Sequence, residues 1–448
     1  MAILHYTIGL PPERNGGSVQ YAYGLMTEQA KSESVYALIC GDTLFRGLTC
    51  KIKKYRIRNG IKIFKLTNPL TPTLIYGTTN PSLQHRDVNI NYNNIQNFIK
   101  DNDIKIMHLH TLMGIHKDIV AFIKSLGVKI VYTSHDFHGI CAHYNMIDYN
   151  DQNCSEILPR KCALCNCLEP SDFFLRFVNS SLYHFLKKNV LFSKIIKGKK
   201  DLVVKTVRNT PSAVSTERIH QFEELIDYYR TFFGIIDKFH FNSLQTKALF
   251  RKFIPNISGK VIPVITPGIK DNRRLINPTE IIKFGFIGNT SDYKGFPLLK
   301  KIVVELFEEG IRNLKILAYT GNQVGVDTDC PLIQYQLPYE YKDISKILYH
   351  LDGTIVPSKW YETFSLVTLE SIAHGRPAII SDHVGAKDIV SAYSGDFIFS
   401  TPQQLKDLLK TIARNPQYLV RESERILSSP WNFSIANHTK ELLQFYFE

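Results

Sequence analysis

Two carboxylates stand eight residues apart in Glu362-Thr-Phe-Ser-Leu-Val-Thr-Leu-Glu370, around a small apolar turn. Before them, Asp352-Gly-Thr-Ile-Val-Pro-Ser reads as a buried strand ending at a Pro-Ser turn. After them, Ser371-Ile-Ala-His-Gly-Arg-Pro-Ala-Ile-Ile-Ser reads as a short helix, a stop at Gly375 and another strand. The pair therefore sits across a strand-to-helix junction, where backbone N–H groups and the helix dipole favour an anion. Eight residues span roughly 12 Å in a helix, a reach that suits a ligand with hydroxyl-bearing groups at both ends and an anion between them. A nucleotide sugar has that form. In this reading Glu370 accepts hydrogen bonds from ribose hydroxyls, Glu362 contacts the sugar, and the N–H groups of Phe364, Ser365 and Leu366 meet the phosphates. The competing reading has Glu362 capping the helix and Glu370 paired with a surface cation.

Other residues carry the same chemistry. Gly16-Gly17 precedes a helical stretch, so a ligand can approach a backbone without Cβ atoms; a tight turn would use the same residues. Lys294, in Ser291-Asp-Tyr-Lys-Gly-Phe, precedes a helix starting near Pro297 and could neutralise a departing diphosphate. His135, in Thr133-Ser-His-Asp, closes a strand; Ser134, His135 and Asp136 are consecutive and cannot converge as a hydrolase triad. Cys141, Cys154, Cys162 and Cys165 offer four thiolates for a structural zinc, with buried free cysteines as the alternative. Paired aspartates typical of metal-dependent transfer are missing near Lys294, so no catalytic cofactor is expected.

The elements that must position these groups alternate apolar strands with amphipathic helices in both halves of the chain. Strands are expected around 35–40, 105–110, 128–135, 281–288, 314–319 and 353–357. The fold class is α/β: two doubly wound, Rossmann-like domains facing across a cleft, residues 1–265 and 266–430, with a helix in 431–448 returning to the first. The length of 448 residues requires more than one core. A charge of +13 favours anionic partners. No nucleic-acid recognition signature accompanies it. No apolar run reaches the length of a membrane span and the N-terminus reads as a strand, so a cytoplasmic location is expected. The segment 173–200 carries seven Lys or Arg and no acidic residue among many Phe and Leu. It reads either as an amphipathic surface meeting an anionic membrane or as a helical insertion with a solvated basic face.

Taken together, the strand-Pro-Ser-x3-Glu-x-Phe-x-Leu-x3-Glu-x3-His-Gly-x-Pro segment resembles the signature of retaining GT-B-fold glycosyltransferases of family four. Gly16-Gly17 is similar to that family's donor-phosphate loop, His135 to its active-site histidine, and Gly285-Phe-Ile-Gly288 with Lys294-Gly295 to its second phosphate site. The sequence departs from the family at Asn289, where an Arg is usual. The resemblance implies metal-independent, front-face transfer of a sugar from a nucleotide-sugar donor to a glycan or lipid-linked acceptor, as in surface polysaccharide or envelope glycan synthesis. His135 and Glu362 would be catalytic, and Gly16, Gly17, Lys294, Phe364, Ser365, Leu366 and Glu370 would bind the donor. A non-catalytic nucleotide-sugar-binding partner subunit is the alternative that Asn289 raises.

Overall fold

The computed structural model describes residues 1–14, 16–42, 49–72, 80–85, 87–166, 177, 180, 183, 214–321, 324–393 and 395–448. Most of the basic segment 173–200, together with Asn15 and Cys167, lies outside the described residues. The chain divides into two compact units. The first comprises Met1–Phe241, Lys247–Ile262 and Thr439–Glu448; the second comprises Asn242–Thr246 and Pro263–His438.

The first unit is built on β1 (Ala2–Thr7), β2 (Ser34–Cys40), β3 (Thr49–Arg58), β4 (Ile61–Thr67), β5 (Asn89–Ile90), β6 (Ile104–Leu109), β7 (Lys129–Thr133), β8 (Lys238–Phe241) and β9 (Gly259–Val261). Their order in the sheet is β5-β3-β4-β2-β1-β6-β7-β8-β9. From β4 to β9 every pairing is parallel, as crossover helices require. All six residues of β1 are buried, which is why that strand reads as a continuous apolar run, interrupted only by His5 and Thr7. The sequence reading did not anticipate the antiparallel β3–β4 hairpin at the edge. Its Asn59-Gly60 turn, with φ of 48° and 77°, carries the positive torsions that such turns favour. The helix α1 (Gly17–Gln29) follows β1 and buries Val19, Tyr21, Ala22, Leu25 and Met26.

The second unit has β10 (Ile282–Ile287), β11 (Leu314–Tyr319), β12 (Gly325–Val326), β13 (Ile333–Tyr335), β14 (Gly353–Val356), β15 (Ala378–Ser381) and β16 (Ile398–Phe399). The order is β12-β13-β11-β10-β14-β15-β16, parallel except at the β12 edge. Helix α2 (Phe296–Glu308) covers the sheet with Phe296, Leu299, Ile302, Val303 and Leu306. The short helix α3 (Leu366–Ile372) lies between β14 and β15 and is buried along Thr368–Ile372. Both units are thus mixed α/β with parallel-dominated sheets, the fold class expected from the alternation.

Candidate functional site

In the second unit the loop from β14 to α3 holds both carboxylates, and its backbone is pinned from several sides. The Glu362 N–H donates to the His383 carbonyl at 3.0 Å, and the Gly385 N–H donates back to the Glu362 carbonyl at 2.9 Å. The Thr363 carbonyl accepts from Ser243 Oγ at 2.8 Å and Thr246 Oγ1 at 2.9 Å. The Ala386 N–H donates to the Phe364 carbonyl at 2.7 Å. The Phe364 side chain is buried in the core. Ser365, at the N-cap of α3, has φ 94° and ψ 92°, a conformation that a non-glycine residue adopts only when its surroundings impose it. Past it, the N–H of Leu366 opens the first turn of α3, where backbone donors lack intrahelical partners.

Glu362 lies in a cage of donors. Its Oε1 accepts from Lys294 Nζ at 2.6 Å, Ser358 Oγ at 2.5 Å and Trp360 Nε1 at 3.4 Å. Burial pushes its pKa up, but the Lys294 charge and the hydrogen bonds from Lys294, Ser358 and Trp360 outweigh it, and the carboxyl is held below its usual range. Lys294 reaches it from a short 3₁₀ turn, Asp292–Lys294, that Gly295 closes at φ 76°. A Cβ on Gly295 would stand 1.7 Å from the Pro357 carbonyl oxygen, so only glycine lets the turn sit against the end of β14. The Lys294 ammonium also lies 5.0 Å from the centre of the Trp360 ring, within cation–π range. Asn289 shapes the same turn: it accepts from the Ser291 N–H at 3.1 Å and donates to Tyr293 Oη at 3.3 Å.

Glu370 is in the opposite electrostatic state. It is 4 % exposed, and Oε1 accepts from Tyr341 Oη at 2.7 Å. Burial raises its pKa to about 7, and the Tyr341 hydrogen bond only partly offsets that. Tyr341 is itself fixed by Thr266 Oγ1 at 2.7 Å. Of two carboxylates eight residues apart, one is thus ionised by a lysine and the other is poised near neutrality.

In the first unit, Gly16 is the N-cap of α1 at φ 147° and ψ 159°, and Gly17 begins the helix, with no acidic residue in its first turn. A Cβ on Gly16 would meet nothing within 4 Å, so the torsion rather than crowding calls for glycine. His135 follows β7. Its Nε2 lies 3.2 Å from His110 Nδ1, and its ring is 5.0 Å from that of Tyr21. Burial lowers its pKa to about 3, with His240 adding to the effect, so it is a neutral imidazole. The motif reading found His135 but not the imidazoles behind it: His5, His108, His110 and His240, all buried. The available signal was His108-Leu-His110, two polar residues on one face of an apolar strand.

Cys141, Cys154, Cys162 and Cys165 are free thiols close enough to influence one another. Burial, with mutual repulsion, raises Cys154 to about 11 and Cys165 to about 12. Among the described residues, the metal-capable ligand atoms that all lie within 4.8 Å of one another belong to His5, His108 and His110, and the four sulfurs are not in that set.

Comparison with known proteins fits this geometry. Residues 332–426, which hold both carboxylates and α3, match the family described as "Glycosyl transferases group 1". No curated protein matches the chain. Among solved structures, the chain is similar to sucrose-phosphate synthase from Thermosynechococcus elongatus (12 % identity, 100 % of this chain and 98 % of that one, TM-score 0.56). It is also similar to an α,α-trehalose-phosphate synthase (UDP-forming) from Burkholderia xenovorans in complex with glucose-6-phosphate (10 %, 100 % of both chains, TM-score 0.57). A third is Anabaena HepE in complex with UDP and glucose (13 %, 99 % and 98 %, TM-score 0.55). At such identities the likeness is one of fold. The protein has the GT-B fold of these structures, and the match to the group 1 glycosyl transferases lies within its second unit.

Proposed function

We propose that the protein is a retaining glycosyltransferase that moves a sugar from a nucleoside diphosphate sugar to a glycan or lipid-linked acceptor. The observation that carries the reading is the Glu362 cage. A buried, ionised carboxylate shares its oxygen with Lys294 and Trp360, beside the first turn of α3. Lys294 supplies the positive charge that a departing diphosphate needs. Glu362 fixes Lys294 and accepts from a donor-sugar hydroxyl, and Glu370 accepts from ribose. In the second unit the N–H groups of Phe364, Ser365 and Leu366 bind phosphate oxygens, and in the first unit Gly16 and Gly17 are donor-binding residues. His135 faces the sugar. In this reading retention proceeds on the front face, without a carboxylate pair for double displacement, the leaving phosphate taking the acceptor's proton. The chemistry needs no metal. Zinc on Cys141, Cys154, Cys162 and Cys165 is a structural part of the proposal, supported by four neighbouring thiols, two buried and two half-buried, which binding would draw together.

Among the described residues no helix is long and apolar enough to cross a membrane. A cytoplasmic enzyme touching an anionic membrane through 173–200 would reach a lipid-linked acceptor in polysaccharide or envelope synthesis, and flotation with anionic vesicles tests that contact. The reaction is tested by following release of nucleoside diphosphate from a panel of nucleotide sugars with and without glycan acceptors. Acceptor-dependent release that is lost in Glu362→Ala and His135→Ala with folding intact supports the enzyme. Tight donor binding without release from any acceptor makes the chain a binding subunit instead.

A further inference from the structure

We propose that a single directed chain of hydrogen bonds through the first unit holds His135 as one tautomer, with its proton on Nε2 and a lone pair on Nδ1, and that the groups of this chain are positioning residues for it. Eight hydrogen bonds link five imidazoles to a backbone carbonyl. The carbonyl fixes the direction. The Ile262 oxygen can only accept, so His240 Nε2, 2.7 Å away, carries a proton. Burial lowers His240 to about 4 and keeps it neutral, so its Nδ1 accepts from Thr133 Oγ1 at 2.8 Å. Thr133 has one hydroxyl proton, now committed, and must accept from His108 Nε2 at 2.6 Å.

His108 is 0 % exposed, and with Nε2–H donating, a neutral ring accepts at Nδ1 from Tyr446 Oη at 2.7 Å. Tyr446 then accepts from Gln29 Nε2 at 3.3 Å, which turns Gln29 Oε1 toward His5 Nε2 at 2.7 Å. His5 donates there, and burial lowers it to about 4, so its Nδ1 accepts from His110 Nε2 at 3.0 Å. Burial also holds His110 neutral, and its Nδ1 accepts from His135 Nε2 at 3.2 Å. Reversing the Gln29 amide would force a second proton onto one imidazole. None of the linked groups is a carboxylate, so that cation would be buried without a counter-charge, which is expensive.

The same order of protons accounts for the close approach of His5, His108 and His110 without a metal. An ion would need lone pairs facing each other where the chain has a donor facing an acceptor. For His135 the consequence is specific. A neutral ring whose Nε2–H is committed to His110 has a lone pair and no proton at Nδ1, so that nitrogen accepts from a group such as a sugar hydroxyl and does not donate to a phosphate oxygen. That consequence rests on the proposed glycosyl transfer; the chain itself does not.

The test is nitrogen NMR of the full-length protein labelled with ¹⁵N-histidine at neutral pH, which reads each tautomer without an activity assay. The expected result is that all five imidazoles are neutral and protonated on Nε2. Gln29→Met, a volume-conserving change that removes the acceptor for His5, should cost His5, His110 and His135 their single tautomer and leave His240 unchanged. An Nδ1–H or doubly protonated His135, a tautomer of His135 indifferent to Gln29→Met, or stoichiometric metal on the histidines would each overturn the proposal. Failure of glycosyl transfer would leave these signals as they are and would count only against the enzymatic reading.

Discussion

Replacing Lys294 with methionine strands a buried carboxylate, and the size of the effect follows from the cage. Lys294 Nζ stands 2.6 Å from Glu362 Oε1, with side chains 27 % and 8 % exposed. At an effective dielectric of about 20 their attraction is about 6 kcal/mol, much of it offset by the desolvation of both ions. What remains when the cation goes is an unpaired buried charge, and breaking such a pair costs about 3–5 kcal/mol. The pH dependence carries the sign. In the wild type Glu362 titrates below its ordinary value of 4.5. Its contribution is therefore present above that value and is lost as pH falls through the lower, folded pKa. In Lys294→Met burial is no longer opposed by the ammonium, the folded pKa rises above the unfolded one, and the penalty grows with pH. The gap between the two proteins should be widest at pH 8 and should shrink toward pH 4.5. Both tryptophans, Trp360 and Trp431, lie in the second unit, so urea unfolding followed by fluorescence reports on that unit. Adding Glu362→Gln to Lys294→Met should recover about 2 kcal/mol or more, because it removes the stranded charge. A gap that does not change with pH, or a double variant no more stable than the single one, would refute the reasoning. Both variants should bind nucleoside diphosphate roughly thirtyfold more weakly by calorimetry, the loss of one charge-assisted hydrogen bond of about 2 kcal/mol.

Glu370 should behave in the opposite sense. Its folded pKa, about 7, lies above its ordinary 4.5, so its contribution falls as pH rises through that interval, and Glu370→Gln should be more stable than the wild type at pH 8 by up to about 3 kcal/mol and little different at pH 4.5 in the same urea assay. Gly295→Ala combines a positive φ with a Cβ 1.7 Å from a carbonyl oxygen, and should destabilise the second unit by about 2–3 kcal/mol in thermal unfolding and weaken nucleotide binding along with it. If the four cysteines hold structural zinc, elemental analysis of protein purified without chelator will find about one metal per chain, lost in Cys162→Ser/Cys165→Ser; wild-type protein without metal would leave them as four free thiols.

The alternation of apolar strands and amphipathic helices made both sheets legible, because strands buried on two faces leave continuous apolar runs such as those of β2 and β15. The strand-to-helix junction was legible too, since Pro357-Ser358, Glu362 and Glu370 lie on one local stretch of chain. Their electrostatic states were not. The partner that ionises Glu362 lies 68 residues away, and the tyrosine hydroxyl that hydrogen-bonds Glu370 lies 29 residues away. The histidine chain was more remote still, joining His5 to Gln29 over 24 residues and His108 to Tyr446 over 338. Tertiary packing brings such groups together: sheet order sets His5 beside His108 on β1 and β6 and Thr133 beside His240 on β7 and β8, and helices supply Gln29 and Tyr446. Local pattern shows that a polar residue occupies a buried strand; it does not show what satisfies it.

The assembly of the first unit from three separated stretches has a consequence for how the protein comes into being. Residues Thr439–Glu448 belong to it, and they bring Leu442, Phe445 and Tyr446 into its core. Lys129 and Lys238 hold the carbonyls of Tyr446 and Phe445 at 2.7 and 3.1 Å. During synthesis from the N-terminus, the ribosome must make all of the second unit before this piece exists. Until then His108 lacks its tyrosine, and a nascent first unit carries an open apolar seam. The second unit is thus free to fold while its predecessor waits, the reverse of the usual vectorial order.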